Sequence, residues 1–551
     1  MSETVADLII GGLASSGVKR IFGLPGDSLN PLMDALRRDR RIEFIQVRHE
    51  EGAALAASFQ SKYTGELSVC MGTSGPGSIH LLNGLYDAKM ESMPVLALTG
   101  QIETDLLGTD YFQEVDMMHL YSDVSVYQQR ITNPESAHAI LRRAIFEART
   151  HPGVAHLDLP VDVLRMAARI PANLGMTEPP ERDERPSLSA VQEMIDGSQK
   201  PVIMYGRGCT GLSRQLSDLS ERIGAPLIYA LNGKGIIPDS DPRVMGGLGL
   251  LGTKASVDAL KNADLVILIG TSFPYVQFMP EHVRFIQVDR NPLNIGKRVS
   301  PDAYCVCSAE YFLKSIAVKE KRDKYYLQLS DSKKKWVAQM QDDEKAGPGK
   351  LRPEAVAASL AVNLPPGTIV LGDTGNVTVW VARNMRMETE HRFLFSSWLG
   401  TMGAGIPGSV GVSFASGMPV LAVVGDGSFA MTMMELITAK KYDRPVKIAV
   451  FNNSKLGMIK FEEEVMGYPE FGVDLLNPDF QKIAQSMGIQ GFSVENAKDL
   501  DATVKSFLNC DGPAVLNAFV DPDEKPMPPK LTFEQAKGYV TSILREKLGS
   551  I

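Results

Sequence analysis

Short apolar runs that end in glycine turns and lead into amphipathic stretches recur along the whole chain. Continuous runs of branched apolar residues are typical of strands buried on both faces, and the amphipathic stretches between them are typical of crossover helices. This alternation predicts parallel α/β units from one end of the chain to the other. The expected fold class is α/β, with three doubly wound parallel-sheet domains.

The apolar runs fall into three blocks, separated by stretches that are rich in charge, proline and glycine. The first block contains KRIFG, IEFIQV, LSVCMG, PVLALTG and VAHLDLP, the second PVIMYG, APLIYAL, ADLVILIG and RFIQVD, and the third GTIVLGDTG, PVLAVVGDG, PVKIAVFNN and PAVLNAFV. A proline- and charge-rich stretch over 172–189 is typical of a linker. We therefore expect domains at 1–180, 181–345 and 346–530, followed by a helical tail at 531–551.

Composition and charge exclude several classes of protein. The chain has 551 residues, of which 44% are apolar and 22% charged, and its net charge is −8 with lysine and arginine scattered along it. Nucleic acid is therefore not an expected partner. Five cysteines without a CxxC pair indicate neither a zinc site nor a disulfide framework. No targeting segment and no apolar run of roughly 20 residues is evident, so a cytoplasmic protein is expected.

Two polar strand ends in the third block point to a metal and a phosphate group. Asp426 follows one apolar run and Asn453 ends the next one. Adjacent parallel strands would bring both oxygens to one sheet edge, and Mg²⁺ prefers carboxylate and amide oxygens. Gly425 and Gly427 allow close backbone approach, and a helix beginning near Ser428 would offer N–H groups to a diphosphate. GDG alone fits a plain strand-turn-helix equally well.

GDG followed at this distance by a pair of asparagines resembles the signature of thiamine-diphosphate enzymes. The resemblance implies thiamine diphosphate and Mg²⁺ as cofactors. It also implies that the metal is held by Asp426, by the side chain of Asn453 and by the backbone carbonyl of Lys455. Three doubly wound domains are the arrangement of that family.

The first block contains a segment, QVRHEEGAALAASFQ, that resembles the family's RHE motif and the small-residue helix after it. The resemblance implies that Glu50 binds the aminopyrimidine ring of thiamine, because a glutamate in a water-poor pocket can share its proton with a ring nitrogen. Glu51 is expected to be solvated, and His49 is expected to have a structural role.

Three further segments resemble the pyruvate oxidase and acetolactate synthase branch of the family: GTSGPGS, YFQE and SSWLGTMGAGIPG. The resemblance implies that Phe112 and Gln113 face the reacting carbon. It also implies that Met402 wedges the cofactor into a bent shape and that Gly400 offers its carbonyl to the 4′-amino group. A methionine among glycines is also compatible with ordinary packing.

The second block has five polar or glycine-rich turns at strand ends: YGRGCTG, NGKG, GGLGLLGT, GTSFPY and VDRNP. None is a GxGxxG fingerprint, so the turns alone indicate only a sheet of the nucleotide-binding kind. They resemble the FAD-contacting turns of pyruvate oxidases, above all the quinone-dependent bacterial kind. The implied FAD contacts are Gly206, Arg207, Gly208, Lys234, Gly249, Thr271, Ser272, Asp289 and Arg290. In YCVCSAE the chain departs from that pattern, with Cys307 and Ser308 where relatives often have Gly-Asp.

Two activities share these parts, and one position separates them. A pyruvate oxidase decarboxylates pyruvate on thiamine diphosphate and passes two electrons from the hydroxyethyl intermediate to FAD, giving acetate or acetyl phosphate. An acetolactate synthase joins two pyruvates instead, and generally has tryptophan nine positions beyond the second asparagine. Here that position is Glu462, as in pyruvate oxidases, where a carboxylate can relay protons. Met458 and Ile459 would line the pocket for the methyl group, while Glu463 and Glu464 are expected to be solvated.

The resemblance therefore favours a pyruvate oxidase, with acetolactate synthase as the alternative and a non-catalytic relative as a third. Its substrate would be pyruvate or another small 2-keto acid. Because Glu50 and the metal ligands lie in different blocks, an active site at the subunit interface of a homodimer or homotetramer is expected. The electron acceptor stays open between oxygen, with or without phosphate, a quinone and another carrier. Stable membrane binding is not expected.

Overall fold

The computed structural model describes residues 3–171, 174, 185–273, 275–345, 349–389, 391–526 and 541–542. These residues form three six-stranded sheets, and all strands within each sheet are parallel. The α/β class with three parallel-sheet units is thus confirmed. Most of the expected linker and nearly all of the expected helical tail at 531–551 lie outside the described residues.

The N-terminal sheet has the strand order β2-β1-β3-β4-β6-β5. Its strands are β1 (Arg20–Gly23), β2 (Glu43–Gln46), β3 (Ser68–Gly72), β4 (Val95–Gln101), β5 (Ser125–Arg130) and β6 (Val154–Pro160). The accompanying helices are α1 (Val5–Ser15), α2 (Asn30–Asp39), α3 (Glu50–Thr64), α4 (Pro76–His80), α5 (Leu82–Met90), α6 (Met117–Leu120), α7 (Pro134–Thr150) and α8 (Val161–Arg165).

The central sheet has a different order, β12-β11-β10-β7-β8-β9. Its strands are β7 (Pro201–Tyr205), β8 (Leu227–Tyr229), β9 (Val244–Gly247), β10 (Leu265–Ile269), β11 (Arg284–Asp289) and β12 (Ala303–Val306). Its helices are α9 (Ser189–Gly197), α10 (Ser213–Ile223), α11 (Lys254–Lys261), α12 (Ala309–Ser315), α13 (Tyr325–Gln328) and α14 (Ser330–Asp343). The order reverses between β7 and β10, where sheets of this kind leave a crevice for a ligand.

The C-terminal sheet repeats the order of the first, β14-β13-β15-β16-β18-β17. Its strands are β13 (Ile369–Gly372), β14 (Arg392–Leu394), β15 (Val420–Gly425), β16 (Val446–Asn452), β17 (Gln490–Val494) and β18 (Ala514–Phe519). Its helices are α15 (Pro353–Asn363), α16 (Asn376–Asn384), α17 (Gly405–Ala415), α18 (Asp426–Thr432), α19 (Glu435–Lys441), α20 (Gly457–Met466), α21 (Phe480–Ser486) and α22 (Ala497–Asn509).

Every strand missing from the sequence analysis lies at the edge of a sheet: β5, β9, β12, β14 and β17. Edge strands lack a second covered flank, and several of these carry polar or glycine residues, as in SVYQQR and QGFSV. The inner strands are buried on both faces and therefore appear as unbroken apolar runs. Burial explains why all the inner strands could be predicted, whereas β2 was the one edge strand of the described sheets that the apolar runs included.

The first and third sheets are joined through α3 and α17, which pack directly against each other. Glycines of α17 make the approach possible. A Cβ atom on Gly411 would lie 2.1 Å from the carbonyl oxygen of Ala56, and one on Gly408 would lie 2.7 Å from the Phe59 ring. The shared core includes Ala53, Ala57 and other small or apolar residues of both helices.

A buried polar junction connects all three units. Nζ of Lys62 lies 2.8 Å from a carboxylate oxygen of Asp87 and 3.3 Å from one of Glu91, with side-chain exposures of 1%, 0% and 2%. Glu91 also accepts the backbone N–H of Ser397 at 2.7 Å and an amide N–H of Asn232 at 3.1 Å. The carboxylate of Glu91, at the end of α5, therefore contacts both the segment after β14 and the central unit.

Two negative observations complete the description of the fold. Within the described ranges, no helix combines the length and the apolar character needed to cross a membrane. All five cysteines are free thiols, and four of them are buried. Burial in apolar surroundings raises the pKa of the Cys209 thiol to about 12.

Candidate active site

The carboxylate of Asp426 lies at the C-terminal edge of the third sheet, between β15 and α18. It is buried, and it accepts N–H groups from Ser454 at 2.7 Å and from Gly427 at 3.1 Å. Burial raises its pKa, while these hydrogen bonds oppose the rise. Ser454 belongs to the turn after β16, so the ends of the two neighbouring strands meet at this carboxylate.

The turn after β16 is shaped by local hydrogen bonds. Ser454 has a φ of +56°, in the left-handed region. Oδ1 of Asn453 accepts the backbone N–H of Lys455 at 3.0 Å, and the Lys455 ammonium pairs with Glu470 and, at 2.6 Å, with Asp474. These ion pairs raise the pKa of Lys455. The side chain of Lys455 is thereby held away, and its backbone remains at the turn.

Gly457 faces a polar cradle at the start of α20. A Cβ atom there would lie 2.4 Å from Nδ2 of Asn376 and 2.8 Å from Nδ2 of Asn453, so only glycine leaves both amides room. Oδ1 of Asn376 is buried without a hydrogen-bond partner in the described part of the chain. Together with the Asp426 carboxylate, this donor set has the oxygen chemistry that suits Mg²⁺ and a diphosphate.

Asn477 was missed by the sequence analysis although it touches the same carboxylate. Its amide donates to Asp426 at 2.7 Å and to Oδ1 of Asn452 at 3.0 Å. Asn452 in turn donates to Asn517 at 3.1 Å. No local pattern marks Asn477, because it lies in a loop far along the chain from GDG.

Asp373, also missed, organises the segment that contains Gly400 and Met402. It is buried at the end of β13, and its carboxylate accepts the backbone N–H groups of Gly403 at 3.1 Å and Gly405 at 2.9 Å. Burial raises its pKa to about 6. The signal was available, since LGDTG is a second aspartate-glycine turn directly after an apolar run.

Gly400 and Met402 lie in the loop before α17. Gly400 has a φ of +63°, a conformation that glycine adopts without strain. The Met402 side chain reaches α18, because a Cβ atom on Gly427 would lie 3.2 Å from its terminal methyl carbon. Gly425 forms the N-terminal boundary of α18, and the Ser428 hydroxyl donates to the carbonyl of Thr374 at 3.4 Å.

Glu50 begins α3, and its side chain is buried. One carboxylate oxygen lies 2.9 Å from Nδ1 of His80, and the His80 ring stacks on that of His49 with centroids 4.3 Å apart. The turn before Glu50 is held from the third sheet, because Glu435 of α19 accepts the backbone N–H groups of Arg48 at 2.9 Å and of His49 at 3.0 Å. Glu435 is a positioning residue that no sequence pattern revealed.

The expectation that Glu51 is simply solvated is wrong. Its side chain is half-buried and accepts a hydrogen bond from Nδ2 of Asn83 at 2.6 Å. The same Nδ2 donates to the Thr401 hydroxyl at 2.9 Å. Glu51 therefore connects the start of α3 to the loop that carries Gly400.

Phe112 and Gln113 occupy a surface loop. Phe112 is 73% exposed, and Gln113 has a φ of +63°. Oε1 of Gln113 accepts a long hydrogen bond, 3.4 Å, from the Ser74 hydroxyl. This bond connects YFQE to GTSGPGS, which the sequence analysis had grouped only by resemblance.

The three acids of α20 have different surroundings. Glu462 is exposed, Glu463 is half-buried and accepts the backbone N–H of Phe471 at 3.1 Å, and Glu464 is buried and pairs with Lys525 at 2.6 Å. The expectation of solvated side chains at Glu463 and Glu464 is therefore wrong, because both anchor neighbouring segments. Within the described part of the chain, Glu462 makes no anchoring contact of this kind.

The turns after β7 and β10 lie where the strand order of the central sheet reverses. These turns approach closely: a Cβ atom on Gly206 would lie 2.7 Å from Thr271, and one on Gly208 would lie 2.6 Å from the Cα atom of Gly270. Ser272 follows in the second turn and is half-buried. Glycine backbone at a strand-order reversal is the arrangement that accepts a dinucleotide.

The other residues expected to contact FAD differ in burial and in the contacts that they already make. Lys234 is buried and pairs with Asp239 at 2.6 Å, so a ligand there would meet its backbone. The guanidinium of Arg207 donates to the carbonyl of Glu91 at 2.7 Å. Asp289, at the end of β11, has its pKa raised by burial, and Arg290 beside it is exposed.

Two further positions of the central unit have local structural explanations. Gly249 has a φ of +83° and precedes α11 in a short helical turn. The departure at YCVCSAE is explained by the helix that follows it. The Ser308 hydroxyl caps α12 by accepting the N–H of Tyr311 at 3.0 Å, and Cys307 is buried in the core.

Comparison with known families accounts for this arrangement. The chain matches the N-terminal TPP binding domain of thiamine pyrophosphate enzymes over residues 3–120, the central domain over 188–316 and the C-terminal TPP binding domain over 373–518. The chain belongs to the family of thiamine pyrophosphate enzymes.

Relatives with names of different activities are similar to nearly the whole chain. YdaP of Bacillus subtilis, named for thiamine pyrophosphate, is 36% identical over 542 residues, 96% of this chain and 93% of the relative. Pyruvate oxidase of Lactiplantibacillus plantarum is 32% identical over 556 residues, 97% and 91% of the two chains. The large subunit of acetolactate synthase isozyme 2 of Escherichia coli is 30% identical over 539 residues, 95% and 96%. The family is thus shown, and identity alone does not separate the two activities.

Proposed function

We propose that the protein is a pyruvate oxidase that depends on thiamine diphosphate, Mg²⁺ and FAD and gives acetate or acetyl phosphate. Acetolactate synthase is the alternative, supported by relatives of that name at similar identity. Pyruvate or another small 2-keto acid is the proposed substrate. A cytoplasmic location is part of the proposal and is supported by the five free thiols.

Bound thiamine diphosphate would supply a carbon nucleophile for cleaving the bond beside the keto group. In the proposed site, Mg²⁺ is held by the carboxylate of Asp426, the amide oxygen of Asn453 and the backbone carbonyl of Lys455. The backbone at Gly425, Gly427 and Ser428 faces the diphosphate. The crowded amides around Gly457 support this assignment, because they leave a polar space that a side chain would fill.

Glu50 is the proposed group that shares a proton with the aminopyrimidine ring. Its burial and its fixed turn support that role, because a carboxylate held away from water exchanges a proton with one defined partner. Met402, which packs toward α18, would hold the ring system in place. The carbonyl of Gly400 would accept from its amino group.

The oxidase proposal rests on the residues that share one face of α20. Residues three and four apart on a helix share a face, so Met458 and Ile459 lie on the same side as Glu462. Met458 packs partly on the core, whereas Ile459 and Glu462 are exposed in the single chain. An acid beside two apolar side chains suits a small 2-keto acid, whereas acetolactate synthases generally have tryptophan at the position of Glu462.

FAD would supply a two-electron acceptor, and the turns that contain Gly206 and Thr271, at the strand-order reversal of the central sheet, would hold it. The glycine turns and the half-buried carboxylate of Asp289 support this placement, because the backbone can approach a diphosphate and a carboxylate can accept from a ribose hydroxyl.

A homodimer or homotetramer is proposed because large apolar side chains are exposed around the site. Phe112, Ile459, Phe471 and Leu476 all face outward in the single chain. Exposed apolar groups of this size typically mark an interaction surface. Sedimentation of the purified protein, expected to show dimers or tetramers, tests this part of the proposal.

The test of the activity uses purified protein loaded with the three cofactors and mixed with pyruvate without oxygen. Bleaching of the flavin absorbance is expected, without accumulation of acetolactate. Oxidised flavin together with acetolactate would instead establish the alternative. Glu462→Gln should slow flavin reduction by about 10²-fold or more, the usual contribution of a positioned proton-transfer group. Glu495→Gln, a surface acid on another element, is the control.

A further inference from the structure

A cluster of two imidazoles and one carboxylate lies at the start of α3. His49, Glu50 and His80 each offer one nitrogen or oxygen atom, and these atoms all lie within 4.8 Å of one another. The cluster offers nitrogen as well as oxygen ligands, whereas the proposed ligands at the Asp426 site are all oxygen atoms. Two nitrogen donors and one carboxylate are a ligand set that zinc enzymes use, with water in the fourth position.

We propose that His49, Glu50 and His80 bind a borderline transition-metal ion such as Zn²⁺ in the cofactor-free protein. Imidazole nitrogen favours Zn²⁺ and Cu²⁺ over Mg²⁺, which prefers oxygen. The site is therefore a second divalent-cation site with a different selectivity. It forms without any residue of the proposed Mg²⁺ site.

Metal binding requires the His80 ring to rotate off the ring of His49, because the two rings are stacked with 28° between their planes and the lone pair of each ligating nitrogen lies in its own ring plane. Tetrahedral ligands at zinc bond lengths lie about 3.4 Å apart, so the cluster must contract by roughly an ångström. The His80 side chain is 42% exposed and free to adjust, whereas Glu50 is 7% exposed. The backbone of His49 is already fixed by its hydrogen bond to Glu435 at 3.0 Å. Glu50 is thus the buried ligand of the cluster, and the two exposed imidazole rings would turn toward it when the ion binds.

Binding displaces protons and one weak hydrogen bond. Nδ1 of His80 and the Glu50 carboxylate are 2.9 Å apart and share a proton that the metal ion replaces. Nδ1 of His49 accepts the N–H of Glu51 at 3.2 Å, a long helix-capping bond. The metal ion either replaces the Glu51 N–H at Nδ1 of His49, or it binds Nε2 of His49 after the proton on that nitrogen has left or moved to another atom. Metal binding is thus expected to release protons.

The metal ion and thiamine diphosphate would compete for the Glu50 carboxylate. This expectation rests on the proposed function of Glu50. A carboxylate bound to Zn²⁺ is not available to the aminopyrimidine ring. Zinc should therefore weaken thiamine diphosphate binding, and thiamine diphosphate with Mg²⁺ should raise the apparent dissociation constant of zinc at this cluster.

The experiment titrates the full-length, chelator-treated apoprotein with ZnCl₂ in competition with a chromophoric chelator. One zinc ion per chain is expected, with proton release measured by calorimetry in two buffers. His80→Gln and His49→Asn should each weaken zinc binding at least about tenfold. Asparagine retains helix capping, so the second variant removes the ligand and keeps the cap. Circular dichroism confirms folding of both variants.

The controls are His119→Ala, an exposed histidine outside the cluster, and Asp426→Asn, which alters the proposed Mg²⁺ site. Unchanged zinc affinity in both is expected. Absent zinc binding, zinc affinity insensitive to both cluster variants, or zinc affinity lost in Asp426→Asn would overturn the proposal. Zinc binding that depends on the cluster but does not compete with thiamine diphosphate would support the metal site and overturn the proposed role of Glu50.

Discussion

Lys62 pairs with both carboxylates of the buried junction of the three units, and replacing it by methionine should destabilise the protein strongly. The methionine retains an apolar side chain of similar length, so the main loss is the charge. Asp87 and Glu91 would then lie at 0% and 2% exposure without their ion-pair partner, and the nearby guanidinium of Arg207 donates to the backbone carbonyl of Glu91 rather than to either carboxylate. Removing one member of a buried ion pair costs about 3–5 kcal/mol, because the remaining charge has no solvent to replace it.

The matched control is Lys89→Met on the neighbouring α5. Lys89 also pairs with an aspartate, Asp123, at 2.7 Å, but the two side chains are 33% and 71% exposed. An exposed pair contributes about 0–1 kcal/mol. Chemical denaturation followed by circular dichroism should therefore separate the variants by several kcal/mol in the free energy of unfolding.

The dependence on pH tests the reasoning further. A buried carboxylate without a cation has a raised pKa in the folded protein. A raised folded pKa makes the folded state bind more protons than the unfolded chain, so the penalty in Lys62→Met should grow as pH rises and shrink as pH falls. Asp87→Asn added to Lys62→Met should recover part of the loss. A Lys62→Met protein no less stable than Lys89→Met would refute the electrostatic account.

Three further outcomes are expected. Gly411→Ala should cost about 1–3 kcal/mol or more, because its Cβ atom would lie 2.1 Å from a carbonyl oxygen of Ala56; Gly417→Ala, which meets nothing within 4 Å, should be nearly neutral by the same thermal unfolding assay. Burial and then the charge of Glu524 raise the pKa of Glu354 from 4.5 to about 8, so stability should fall as pH rises between these values; Glu354→Gln should lose this slope in unfolding curves recorded across that range. Asp426→Asn should weaken Mg²⁺-dependent thiamine diphosphate binding tenfold or more, measured by fluorescence quenching, and unchanged affinity would argue against a metal ligand.

The inner strands could be predicted because burial on both faces leaves one kind of sequence. PVLAVVG and PVKIAVF are runs of mostly branched apolar residues, which are typical of strands buried on both faces. Apart from β2, the edge strands were not predicted; SVYQQR, for example, is half-exposed and carries no alternation strong enough to distinguish it from a loop. Their pairing is decided by neighbours distant in the chain.

The same distinction applies to the site. Asp426 and the turn at Asn453 could be expected at one sheet edge, since both follow apolar runs of adjacent units, and Ser454 does reach the Asp426 carboxylate. Their roles toward a metal stay predictions. Asn477 and Glu435 could not be found, because each acts across the fold on a backbone or carboxylate far away in sequence. A single chain without aligned relatives carries no signal for such pairs.

The first and third sheets have the same strand order, and this repeat places equivalent helices of the two sheets against each other. In each sheet the helix after the second strand, α3 or α17, begins at the same topological point, and these two equivalent helices face each other. The chain therefore contains, in its topology, a two-fold relation between its own halves. One half has placed an acid, Glu50, at that point, and the other has placed a glycine-rich loop held by Asp373. The same strand order thus carries different residues at equivalent points of the two sheets, and the proposed homodimer would bring the proposed proton-transfer residue of one chain to the proposed diphosphate site of the other.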